Sequence, residues 1–137
     1  MANWLLKTEP EEYSWNDLER DVRATWDGVK APAALKNIAR MKPEDKVFFY
    51  HTGKERKVVG IAKVVSEPYP DPEEADEKLL VVDIEAVKPL KNSVTLKAIK
   101  ETELFPEWEL VRLPRLSVVP VSKEQWNKVL SWSEIME

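Results

Sequence analysis

Trp26, Asp27 and Gly28 stand together in "ATWDGVKAPAALKN", residues 24–37, and as residue types they could hold a flat heterocycle. An indole offers a stacking face, worth about 1–3 kcal/mol when a nucleobase lies on it. The adjoining carboxylate can accept from an exocyclic amine, as Asp and Glu do from cytosine N4. Asp-Gly is a turn signal, so the ring stands at a bend. Two readings of Trp26 are open on these residues alone: a plug in the core, or a platform for a ligand. Tyr50, on a strand ending near the same region, could supply a second wall.

His51 is the only histidine, which excludes a catalytic histidine pair and a histidine-rich metal site. Placed at the end of "KVFFYHT", it could bond to backbone, line a pocket, or act as a general acid or base. The chain has no cysteine, so thiolate catalysis, thiolate metal ligands and disulfides are excluded. No G-x-S-x-G elbow is present, and Ser14, Ser117 and Ser122 have simpler uses as cap or strand residues. With three glycines and no G-x-G-x-x-G or phosphate loop, a nucleotide cofactor held by glycine-rich backbone is not expected. The carboxylates of "EPEE" and "DPEEADE" match no ion-loop spacing, so they read as solvated surface. We therefore expect no catalytic residues, no cofactor and no metal. A nucleotide-processing enzyme would have to work with Glu9, Asp27, Asp71 and His51.

Several elements must position these groups. "NWLLK" reads as a first strand. Ser14 caps a helix with Asp17 at its third position, and Tyr13 and Leu18 are placed as a hydrophobic staple. Pro32 suits the first turn of a helix over 32–41 that presents Leu35, Ile38 and Met41 on one face. "KVFFYHT" alternates Val47, Phe49 and His51 on one side with Phe48 and Tyr50 on the other. "KVVGIAKVV" returns as its partner, and Gly60 within it predicts a bulge or a close backbone approach. After the acidic, proline-rich "SEPYPDPEEADEK", residues 79–87 form the clearest strand. A short helix near 95–101, an irregular stretch anchored by Phe105 and Trp108, and a last strand "RLSVVPV" follow. Ser122 and Gln125 box the start of a final helix that buries Trp126, Val129 and Leu130. Strands split by helices in so short a chain predict an α+β fold whose sheet curls into a small barrel.

The 137 residues are the size of one domain. The net charge of -4 hides an uneven distribution. Residues 23–63 carry ten Lys or Arg against four Asp or Glu, a net of +6. Such a segment can focus a positive field on one face, or serve only as soluble surface. No signal peptide and no membrane span are read, so we expect a cytoplasmic protein, or a nuclear one if the source is eukaryotic.

In order along the chain, "WLLKTEP", "YSWNDL", "TWDGV", "FFYHT", "VVGIAKV", "YPDP" and "RLSVVPV" resemble the EVE domain family of the PUA-like superfamily. The resemblance runs from Trp4 to the helix containing Trp126, and seven motifs in register make it specific. It implies a single domain over residues 1–137: a small, curved, mixed or mostly antiparallel barrel of five to six strands with flanking helices. It also implies a non-catalytic module that binds DNA or RNA and reads a modified base, a modified cytosine in DNA or an RNA counterpart. Carried over residue by residue, the family motifs fall on Lys7, Thr8, Glu9 and Pro10; on Trp26, Asp27, Gly28 and Val29; on Phe49, Tyr50, His51 and Thr52; on Tyr69, Pro70 and Asp71; and on Arg115, Leu116, Ser117 and Val118.

The resemblance thus implies a pocket lined by Lys7, Thr8, Trp26, Asp27, Gly28, Val29, Tyr50, His51, Thr52 and Ser117. Trp26 and Tyr50 would be its stacking walls, with His51 helping to close them. Asp27, with Thr8 or Ser117, would read the base edge, and Lys30 and Lys36 would touch phosphate. One departure bears on the ligand. Many members continue past W-D-G-V with R-N-Y-Q-A-R-N, whereas residues 30–36 here are "KAPAALK". Lys30 keeps a positive charge without the guanidinium fork, and Ala31 has no amide. The altered segment and the acidic loop leave a second reading open, a protein-interaction module with a vestigial pocket and a protein partner.

Overall fold

The computed structural model describes residues 1–135. Its elements in chain order are β1 (Asn3–Thr8), α1 (Trp15–Asp21), β2 (Arg23–Trp26), α2 (Pro32–Ile38), β3 (Lys46–His51), β4 (Lys57–Val64), β5 (Tyr69–Pro70), β6 (Leu80–Thr95), α3 (Leu96–Glu101), α4 (Glu109–Arg112), β7 (Val118–Val121) and α5 (Lys123–Ile135). The main sheet runs β2-β6-β4-β3-β1-β7, with β5 paired to β6 beside that path. β1 and β3 are parallel, and the other pairings are antiparallel.

The expected barrel is not formed. β2 and β7 end the path and do not pair with each other, so the sheet is open and mixed, with flanking helices. The physical reason is the helix between them. α2 packs against both β6 and β7, and Asn37 Nδ2 donates to the Val118 carbonyl at 2.8 Å. A helix covering an edge satisfies it as closure would.

Alternation along the strands builds a core on each face of the sheet. Leu6, Val47 and Phe49 join Trp4, Trp15, Trp26 and Ile38 in one cluster. Leu5, Phe48 and Tyr50 join Val58, Trp108 and Trp126 in the other. Phe48 stacks on Trp126 with ring centroids 3.8 Å apart.

Both helix-start motifs form. Ser14 Oγ accepts from the Asp17 amide at 3.1 Å while Asp17 Oδ2 accepts from the Ser14 amide at 2.8 Å. Ser122 and Gln125 repeat the exchange at the head of α5. Gly60 realises both of its expectations. The β3–β4 register shifts beside it, and a Cβ there would lie 2.6 Å from the Trp15 ring.

Six elements differ from the sequence expectation. α2 ends at Ile38 rather than 41, and β5 and α4 form within the stretches read as loop and irregular chain. β2 was not anticipated. β6 continues past residue 87 to Thr95, because Pro89 sits opposite Gly60 at an irregularity where no ladder donor is needed. The last strand starts at Val118, leaving 115–117 as irregular chain.

Candidate functional site

The parallel pairing of β1 with β3 sets Thr8 beside His51, so both strands end at the same side of the sheet. The chain leaving β3 stays tied there, since the Thr52 amide donates to the Thr8 carbonyl at 2.9 Å. On the other side of β1, the Lys7 amide donates to the Ser117 carbonyl at 3.0 Å. The sheet curls far enough for Trp26, ending β2, to set its ring edge against Phe49 of β3, 5.6 Å between centroids at 80°. These strand ends, the 27–31 loop and the 9–13 turn surround an open cleft of about 740 Å³.

Trp26 forms part of its floor. Only 8% of the residue is exposed, and Phe49, itself wedged against Trp15 at 5.5 Å, holds it in place. Both readings of this indole are therefore met in one side chain: it packs into the core and it lines the hollow. Gly28 takes φ +77°, which turns the chain just beyond Asp27 at little steric cost. Asp27 itself is exposed on the cleft rim.

The opposite wall is polar. Lys7 Nζ donates to the Pro114 carbonyl at 3.1 Å and lies 5.7 Å from the Tyr50 ring centroid. Burial lowers the pKa of this ammonium from the ordinary lysine value. Thr8 Oγ1 donates to the Tyr13 carbonyl at 3.1 Å, and Thr52 Oγ1 donates to Glu9 Oε1 at 2.7 Å. The Tyr13 hydroxyl donates to Asp21 Oδ2 at 2.9 Å. Burial, then the bond to that carboxylate, push its pKa up to about 12, so it stays a neutral donor. The charged groups lining the cleft balance: Lys7, Lys30 and Arg115 against Glu9, Glu12 and Asp27.

The structure brings Lys7, Thr8, Trp26, Asp27, Gly28, Val29, Lys30, Thr52 and Ser117 to this one cleft. It places Tyr50, His51 and Lys36 elsewhere. Tyr50 lies in the core on the other face of the sheet, so it forms no wall with Trp26. His51 is buried, and both ring nitrogens are engaged. Its Nε2 accepts from the Trp15 amide at 3.0 Å. Nδ1 must therefore carry the proton, which it shares with Glu55 Oε1 at 2.9 Å. Lys36 is exposed in the last turn of α2, outside the cleft. Asp71 lines a separate small crevice with Gly28, Val29 and Lys30.

Tyr13 and Arg115 line the cleft without having been singled out for it. Tyr13 was read only as a staple, and it does pack partly against the core beside α1. The signal available in the sequence was its place in "YSWNDL", next to the capping serine. Arg115 opens "RLSVVPV", the motif that had already nominated Ser117. Among the described residues, no His, Cys, Asp and Glu group is arranged to hold a metal ion, and no helix is long and apolar enough to cross a membrane.

The model of the EVE domain family matches residues 2–132. Among solved structures, Rpa0253 from Rhodopseudomonas palustris superposes with a TM-score of 0.93 at 37% identity, covering 100% of this chain and 96% of that one. The human THYN1 protein, solved in complex with 5-methylcytosine-containing DNA, superposes with a TM-score of 0.89 at 28% identity over 100% of both chains. Mouse thymocyte nuclear protein 1 is 31% identical over 96% of this chain and 73% of its own length.

Proposed function

Because this chain belongs to the EVE domain family, we propose that it binds nucleic acid without catalysis and houses one modified base in the cleft beside Trp26. A modified cytosine in DNA is the first ligand to test, by likeness to the THYN1 protein held with such DNA. The observation that carries the reading is the make-up of the cleft. A rigid aromatic floor, an accessible carboxylate and polar side chains surround a space with no net charge. That suits a neutral, flat, hydrogen-bonding heterocycle better than a phosphate. A volume near 740 Å³ lies within the range of small-ligand sites.

The remaining roles follow from the same geometry. Trp26 meets the base as a fixed floor, and Tyr13 replaces Tyr50 as the second aromatic wall. Asp27 accepts from the exocyclic amine. Taking a base out of a duplex costs a few kcal/mol, which the stack and edge bonds must repay. An acid–base mechanism through His51 has no support, since neither ring nitrogen is free and the ring lies off the cleft. An open cleft also argues against a vestigial pocket. The vertebrate relatives are named as nuclear proteins, the compartment expected for a eukaryotic source.

The test is a binding titration across matched DNA and RNA oligonucleotides with and without base modifications, starting from 5-methylcytosine. Tighter binding to one modified member is expected. Equal affinity for every member, modified or plain, would contradict the reading.

A further inference from the structure

The base cleft is electrically balanced, so it cannot itself supply the charge attraction that holds a polyanion. That attraction must come from outside it, and the two flanks of the cleft differ. On the Gly28–Lys30 flank, Lys30 shares its crevice with Asp71 and Glu74 of the acidic loop. Phosphates passing there would meet carboxylates.

On the Thr52 flank a second cleft opens, of about 780 Å³, between the β3–β4 turn and α3. The two clefts share a wall. Thr52 lines the first and Gly53 the second, and Glu9 of the first lies 3.0 Å from where a Cβ on Gly53 would stand. Four cations line the second cleft, Lys54, Arg56, Lys97 and Lys100, against Glu55 and Glu101. Glu55 is already engaged by His51 and by Lys57, whose Nζ lies at 3.8 Å. The turn is fixed to the helix, because the Leu96 amide donates to the Arg56 carbonyl at 2.8 Å. Arg56 keeps φ +45° there, and its Nε donates to the Gly53 carbonyl at 3.2 Å. The outer guanidinium nitrogens are left for a ligand.

We infer that the strand carrying the recognised base leaves the base cleft across Thr52 and Gly53 and lays its flanking phosphates in this second cleft, on Lys54, Arg56, Lys97 and Lys100. The inference rests on the base-binding reading for its direction. It extends the contact surface to α3, a region outside the basic segment of the sequence. Phosphates follow one another closely enough along a strand, about 3.4 Å of axis per charge, to engage more than one of these cations at once. The acidic loop on the opposite flank gives the path a single sense.

The experiment measures affinity for a dodecamer DNA and a trinucleotide, each with a central 5-methylcytosine or cytosine, across a salt series. The variants are Lys97→Ala/Lys100→Ala and Lys97→Glu/Lys100→Glu, exposed positions whose folding is checked by thermal melting. For the dodecamer, the alanine pair is expected to bind on the order of tenfold more weakly, with the log–log salt slope flatter by roughly 1.5–2. The glutamate pair should lose more, Lys97→Arg/Lys100→Arg should restore binding, and the preference for the modified base should not change. Unchanged dodecamer affinity and slope in the glutamate pair would overturn the inference, even with base preference intact. A wild type without base preference whose slope still flattens in the variants would instead sink the base reading and leave the phosphate cleft standing.

Discussion

The Nε2 atom of His51 accepts a hydrogen bond from the backbone amide of Trp15 at 3.0 Å, fastening the end of β3 to the first turn of α1. That amide is one of the four that a helix start leaves without an internal partner. The only histidine of the chain is thereby spent on structure. Replacing it with alanine strands a buried donor and should cost about 1–3 kcal/mol. The midpoint of urea unfolding measures the loss, and base preference should survive it in the folded protein.

The same imidazole sets an acid dependence. Its bond to Glu55, aided by the charge of Lys57, holds the Glu55 carboxyl below the ordinary value of 4.5. A depressed folded-state pKa stabilises the fold in full above the unfolded value, and that stability drains away as pH falls through the folded one. Stability should therefore decline below about 4.5, and the His51→Ala variant should decline less steeply there. Glu55 is more than a third exposed, so solvent screens the effect and the difference in slope will be modest. Unfolding curves at stepped pH compare the two proteins.

Gly60 and Gly28 are indispensable for different reasons, and alanine at each should separate them. A Cβ at Gly60 would lie 2.6 Å from ring atoms of Trp15, which is only 5% exposed and has no room to yield. Overpacking of this kind costs about 1–3 kcal/mol, and this site belongs at the upper end. At Gly28 nothing lies within 4 Å of an added Cβ, so only the positive φ is penalised. That cost is about 1 kcal/mol, and Gly28→Asn should recover part of it. Thermal denaturation ranks the three variants.

Tyr13 offers a test of the second wall. Tyr13→Phe removes the bond to Asp21 but keeps the ring, so binding of the modified base should be retained. Tyr13→Ala removes the ring and should weaken binding by the worth of a stack, about 1–3 kcal/mol. Titrations with one modified oligonucleotide compare both with wild type.

Local signals in the sequence were strong where chemistry and structure coincide within a few residues. Ser14 with Asp17, Ser122 with Gln125, and Gly60 each declare a cap or a close approach on their own. Signals that depend on distant partners were weak. β2 has four residues, and its register pairs Trp26 with Val82 and Ala24 with Ile84, far along the chain. Closure of the sheet was illegible for the same reason: whether β2 meets β7 is decided by α2 lying between them, not by either strand.

The site divides along the same line. The motif residues at the ends of β1 and β2 reach one cleft, because strand ends gather where the sheet curls. Tyr50 does not, and the alternation in "KVFFYHT" carried the reason. Phe49 is the residue that faces Trp26, so its neighbour Tyr50 must face away. It was nominated because its strand ends near the cleft, which fixes position but not face. The basic segment was visible as charge, but its continuation onto Lys97 and Lys100 exists only in three dimensions.

An NMR titration that follows the indole N–H resonances tests the central claim most directly. The Trp4 indole is pinned to Asp45 at 3.0 Å and that of Trp108 to the Pro120 carbonyl at 3.0 Å, which makes them internal references. On adding a short strand containing 5-methylcytosine, the Trp26 resonance should move in a saturable way while these two hold still. The unmodified strand should move it less at the same concentration. A modified strand that binds tightly, shifts other sites and leaves the Trp26 indole unmoved would contradict the account.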